Sequence, residues 1–165
     1  DYGGLRAAWR QVGTWTVGVN EAPGGLAVNP SSGSGWSQTF QFVAVDPNGW
    51  QDISWGMMLI NRVFSGSGGC YMYFNWGARA LWLANDAGTA WIPGVLGSGT
   101  IENSQCVVRL NESSIAGEGT TFRVTVALTF KPGFEGAKGV YFEVEDYGGL
   151  RAAWRQVGTW TVGGN

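Results

Sequence analysis

The chain has 165 residues, 13% of them charged and 44% apolar, with a net charge of −2, no histidine, 28 glycines and 10 tryptophans. That length supports one domain with a real core, and the apolar content excludes a disordered chain. The near-neutral charge gives no electrostatic reason for a nucleic-acid partner, and no apolar run reaches the length of a membrane span.

Residues 1–18, DYGGLRAAWRQVGTWTVG, return letter for letter as residues 146–163. Identity over that length marks a recent tandem duplication. Inside the first copy, Val12, Thr14, Trp15, Thr16 and Val17 fall in a short alternating run with the character of a strand. The second copy is expected to close the chain's own domain, so the first is expected to seek the same kind of slot in a neighbour, as a preceding-repeat strand or a donor strand. Residues 19–35, rich in Gly, Ser and Pro, are expected to form a linker, within which Leu26-Ala27-Val28 is the one candidate for a short edge strand. Residues 36–165 are then the domain proper.

Two strands are expected around Asp46-Pro47-Asn48-Gly49, a stretch with the composition of a tight turn. Asp46, Asn48 and Asp52 offer oxygen ligands at alternate positions, a pattern that suits calcium. The twelve-residue calcium loop with its terminal Glu is absent, so the preferred reading is that Asp46 and Asn48 close the turn, and no metal or cofactor is expected. Residues 70–92 read as three short strands broken at Asn75-Trp76-Gly77 and Asn85-Asp86-Ala87-Gly88. Residues 121–131, TFRVTVALTFK, alternate strictly and form the clearest half-buried strand. Residues 140–146 and 158–162 supply two more, and the stretch between them reads as a loop or one helical turn. The count is about nine strands at ten-residue spacing, the pattern of an all-β, elaborated immunoglobulin-like sandwich with an N-terminal extension strand.

Catalytic chemistry is thin. Histidine, the usual general base and commonest zinc ligand, is missing, and the serines lie in Gly-rich runs with no base beside them. The chain is therefore not expected to be an enzyme. Trp50 and Trp76 sit at turns and are the candidates for a sugar-stacking platform, whereas Trp55 and Trp82 lie within strand patterns and are expected to fill the core. Asn111-Glu112-Ser113 fits the N-glycosylation pattern. Cys70 and Cys106 fit one disulfide in an oxidising compartment, with two buried free thiols as the alternative.

Several segments, VNPSSGSGWSQTF, DPNGWQDISW, LWLANDAGTAW, LTFKPGFEGAKGVYFEVED and GLRAAWRQVGTWTV, together resemble the tandem immunoglobulin-like repeats of very large secreted bacterial surface proteins. The resemblance implies an extracellular β-sandwich repeat with cysteines at the positions of Cys70 and Cys106. Its assembly logic is similar to that of bacterial fibres built by strand donation. The expected function is a structural unit of an extracellular or cell-surface filament, with copies of itself as partners. The alternative is a carbohydrate-binding or adhesive module.

Overall fold

A computed structural model describes residues 3–14 and 18–164. The strands are β1 (Gly24–Asn29), β2 (Ser34–Gly35), β3 (Ser37–Val45), β4 (Ile53–Asn61), β5 (Cys70–Asn75) and β6 (Ala80–Ala84). They continue as β7 (Trp91–Val95), β8 (Thr100–Glu102), β9 (Cys106–Glu118), β10 (Thr121–Phe130), β11 (Gly136–Asp146) and β12 (Arg151–Val162). One sheet runs β1-β3-β10-β9-β8 and the other β2-β12-β11-β4-β5-β6-β7. The protein is thus an all-β sandwich, as expected, with more strands than the sequence count because β2 and β8 are too short to leave a period and the polar run over residues 111–114 interrupts the alternation of β9.

The core lies between the sheets and follows from strand parity. In β3, Phe40, Phe42 and Ala44 are fully buried, and in β10 the same holds for Phe122, Val124, Val126 and Leu128. From the opposite sheet Met58, Ile60, Phe74, Phe142 and Val144 meet them, also without exposure. Aromatic contacts cross the layer, with ring centroids 5.1 Å apart for Phe42–Phe142 and 5.4 Å for the stacked pair Phe74–Phe122. Cys70 on β5 and Cys106 on β9 form a disulfide that joins the two sheets through the core.

Two expectations are corrected. The linker over residues 19–35 does not hold throughout, because β1 pairs antiparallel with β3 and buries Leu26 and Val28. A Gly-rich sequence can still bury alternate apolar residues once a partner strand supplies the ladder. The loop or helical turn expected after Asp146 is confined to a short turn, since β12 runs unbroken from Arg151 to Val162. Its helix-favouring Ala and Arg residues are overridden by pairing with β11, and bulges in that ladder adjust the register.

Candidate functional site

Three features stand apart from the general packing. The first is the contrast between the identical copies. The C-terminal copy supplies β12, which pairs with β11 on one side. On its other side, residues 31–35 accept backbone hydrogen bonds from Thr159, Thr161 and Gly163. Among the described residues no strand covers the outer edge of β12 over residues 151–157. The N-terminal copy makes no strand over residues 3–14. Trp9 is 104% exposed and Val12 96%, whereas their counterparts Trp154 and Val157 are half-buried. Thr14 is exposed, and Trp15, Thr16 and Val17 of the expected inter-subunit strand lie outside the described residues.

The second feature is a cluster of carboxylates. Asp46 opens the turn after β3, Asp52 precedes β4 and Asp146 ends β11, and one carboxylate oxygen from each lies within 4.8 Å of the others. Asp46 is fully buried and Asp146 is 2% exposed. Asp46 Oδ1 accepts the Asn48 backbone N–H at 2.9 Å, so the turn forms as the sequence suggests. Asp146 Oδ1 accepts the Leu150 N–H at 2.8 Å, and Asp146 Oδ2 accepts the Asn20 amide at 3.0 Å. Asp46 Oδ2 and Asp52 Oδ2 are buried and find no donor among the described residues. Burial, opposed by the Asn48 N–H and reinforced by the charges of Asp52 and Asp146, pushes the Asp46 carboxyl up to about 6.

Of the three residues expected as calcium candidates, Asp46 and Asp52 are brought together. Asn48 is committed elsewhere: its Oδ1 accepts the Glu21 N–H at 2.7 Å and its Nδ2 donates to the Val19 carbonyl at 3.1 Å. Asp146 takes the third place. It belongs to a distant strand, so no local spacing reveals it. A β-carbon at Gly148 would run into the Asn20 amide and displace it from Asp146.

The third feature is an aromatic surface on the outer face of the seven-stranded sheet. Trp55, Tyr71, Tyr73, Trp82, Trp91 and Trp154 form a chain of ring contacts with centroids 5.0–6.1 Å apart. Phe64 extends it by contacts with Trp154 and Tyr141. Trp91 and Phe64 are 41% and 57% exposed and the other rings half-buried. Met57, Tyr73, Trp82 and Trp91 border a shallow cavity of about 180 Å³. At one end, Trp55 Nε1 donates to Glu145 at 2.7 Å, and the Arg151 guanidinium lies 5.6 Å from the Trp55 ring centre while pairing with Glu145 and Glu143. The Arg151 and Trp55 hydrogen bonds hold the Glu145 carboxyl below its ordinary value.

The core role expected for Trp55 and Trp82 is therefore corrected, since both point away from the other sheet. In β4 and β6, which carry Trp55 and Trp82, both faces are apolar, so the sequence offers no parity signal to tell them apart. Trp50 and Trp76 occupy a different place. Their rings pack at 5.0 Å with a 56° tilt, Trp50 also meets Phe122, and both rest half-buried on the core. Trp76 Nε1 is buried with no acceptor among the described residues, and the ring borders a cavity of about 350 Å³ with Arg79, Leu96 and Ser114.

Asn111 is exposed on β9. Ser113 of the same tripeptide is 5% exposed, donates its hydroxyl to the Arg109 carbonyl and accepts the Ala127 N–H. A glycan at Asn111 therefore has to be attached before this strand folds. Among the described residues no helix is long and apolar enough to cross a membrane. No protein-family model, curated protein or solved structure matches the chain.

Proposed function

We propose that the protein is a structural unit of an extracellular filament, joined head-to-tail when the N-terminal copy takes a strand position in the seven-stranded sheet of a neighbouring sandwich. The observation that supports this most directly is the unequal fate of two identical segments. The C-terminal copy already fills its slot at the high effective concentration of an intramolecular strand. The N-terminal copy has the same hydrogen-bonding capacity and leaves Trp9 and Val12 in water. In a covalent array it serves as the last strand of the preceding unit. Between separate chains it adds along the open outer edge of a neighbour's β12, where unpaired backbone groups await a partner. Both contacts are heterologous and do not close on themselves, so they propagate a line. The sheet-to-sheet disulfide suits an oxidising, extracellular setting. Electron microscopy and sedimentation test this: the full chain should form filaments or linear oligomers, and a chain lacking residues 1–18 should stay folded and monomeric. Assembly that survives the deletion overturns the proposal.

The aromatic surface supports a second reading, a carbohydrate-binding or adhesive module. Adjacent rings on one sheet face can stack on successive sugar units of a polysaccharide. Tryptophan fluorescence that responds to an insoluble or soluble glucan or chitin, and loses the response in Trp82→Ala and Trp91→Ala, would establish it. A response that persists in both variants counts against this face.

A further inference from the structure

The geometry points to a calcium site: we propose that Asp46, Asp52 and Asp146 together bind one Ca2+ where the β3–β4 connection meets the end of β11. The carboxylates come from separate elements, and their ligand oxygens lie within 4.8 Å of one another. Two of the three residues are buried, and Asp46 meets the like charges of Asp52 and Asp146 together with a side-chain hydrogen bond to Asp52 when a proton sits between the two carboxyls. A buried carboxylate oxygen with neither donor nor cation is costly, and among the described residues Asp46 Oδ2 and Asp52 Oδ2 are two such atoms in one cluster when both carboxyls are ionised. The remaining oxygens are already anchored. Asn48 and Leu150 backbone N–H groups and the Asn20 amide hold Asp46 and Asp146 in place, which leaves the unpaired atoms pre-aimed.

The chemistry of the donor set selects the ion. Three carboxylates with no His or Cys form a hard, all-oxygen site of charge −3, which suits calcium or magnesium rather than zinc. Calcium accepts irregular oxygen cages and sheds its water more readily than magnesium, which demands near-ideal octahedral geometry, so calcium is the better fit to this donor set. Water and backbone carbonyls complete the shell. Because Asn20 rests on Asp146 and Val19 and Glu21 are tied to Asn48, the ion would also order the short segment that follows the N-terminal copy.

Isothermal titration of the chelator-treated full chain with CaCl2, alongside thermal melts, tests the site. One ion should bind with a Kd of about 10⁻⁵–10⁻³ M, raise the melting temperature, and outcompete Mg2+ by at least about tenfold. Asp46→Asn and Asp52→Asn should each weaken calcium at least about tenfold. Asp52 is only half-buried, so Asp52→Asn remains informative if Asp46→Asn does not fold. The proposal is overturned if neither heat nor melting responds to about 10 mM calcium, as when Asp46 and Asp52 merely share a proton. It is equally overturned if Asp52→Asn keeps the full calcium response.

Discussion

Asp46 shows how one buried group links turn chemistry to stability. The side chain closes a turn through the Asn48 N–H, as its sequence neighbours suggest, yet it does so fully buried beside two other carboxyls. In calcium-free buffer its folded-state value near 6 lies above the unfolded value of about 3.9. Between those values the folded chain holds a proton that the unfolded chain releases. Its contribution to stability is therefore greatest below the unfolded value and is lost as the pH rises through about 6. Urea midpoints in chelator should accordingly fall between about pH 4 and about pH 6, and Asp46→Asn should flatten that slope. A second residue-scale case is Gly117 on β9, where an added β-carbon would enter the Trp50 ring. Gly117→Ala should cost about 1–3 kcal/mol by overpacking, measured by urea denaturation. Nothing around Gly117 in the sequence signals this, because Trp50 reaches it from another connection.

At the scale of elements, the duplicated segment provides an internal control. Trp9 and Trp154 share the same neighbours in sequence, yet one is fully exposed and the other lies against Tyr71 and Phe64. Trp154→Ala should destabilise the sandwich by about 1–3 kcal/mol, while Trp9→Ala should stay within about 0.5 kcal/mol in dilute, monomeric protein. Equal losses in the two variants would show that the N-terminal copy packs on its own domain after all. The same pair explains why β12 reads poorly from sequence. RAAWRQV combines a weak alternation with helix-forming residues, and only the β11 ladder decides the outcome. By contrast β10 reads without ambiguity, because its apolar residues fall at every second position for its whole length.

For the molecule as a whole, the bridge between Cys70 and Cys106 connects the sheets rather than strands within one sheet. Its sequence separation of 36 residues corresponds to roughly 3–4 kcal/mol in the chain-entropy model. At about 2–4 °C per kcal/mol for a chain of this size, reduction should lower the melting temperature by roughly 6–16 °C. An unchanged melting temperature after verified reduction would deny the bridge that role. Both faces of the seven-stranded sheet carry large apolar residues, one inside the sandwich and one as the aromatic surface. Such a face suits contact with another surface.

The sequence by itself determined the all-β class, the tight turn at Asp46 and the exact return of its first 18 residues, and it favoured pairing of the two cysteines over two free thiols. Each of these rests on local periodicity, turn composition or simple counting. Only the tertiary structure decided that Trp55 and Trp82 face outward, that residues 24–29 belong to a sheet, and that Asp146 joins Asp46 and Asp52. Those features depend on which strands become neighbours and which of two apolar faces turns inward. Long-range pairing sets both, and no window of adjacent residues contains that information.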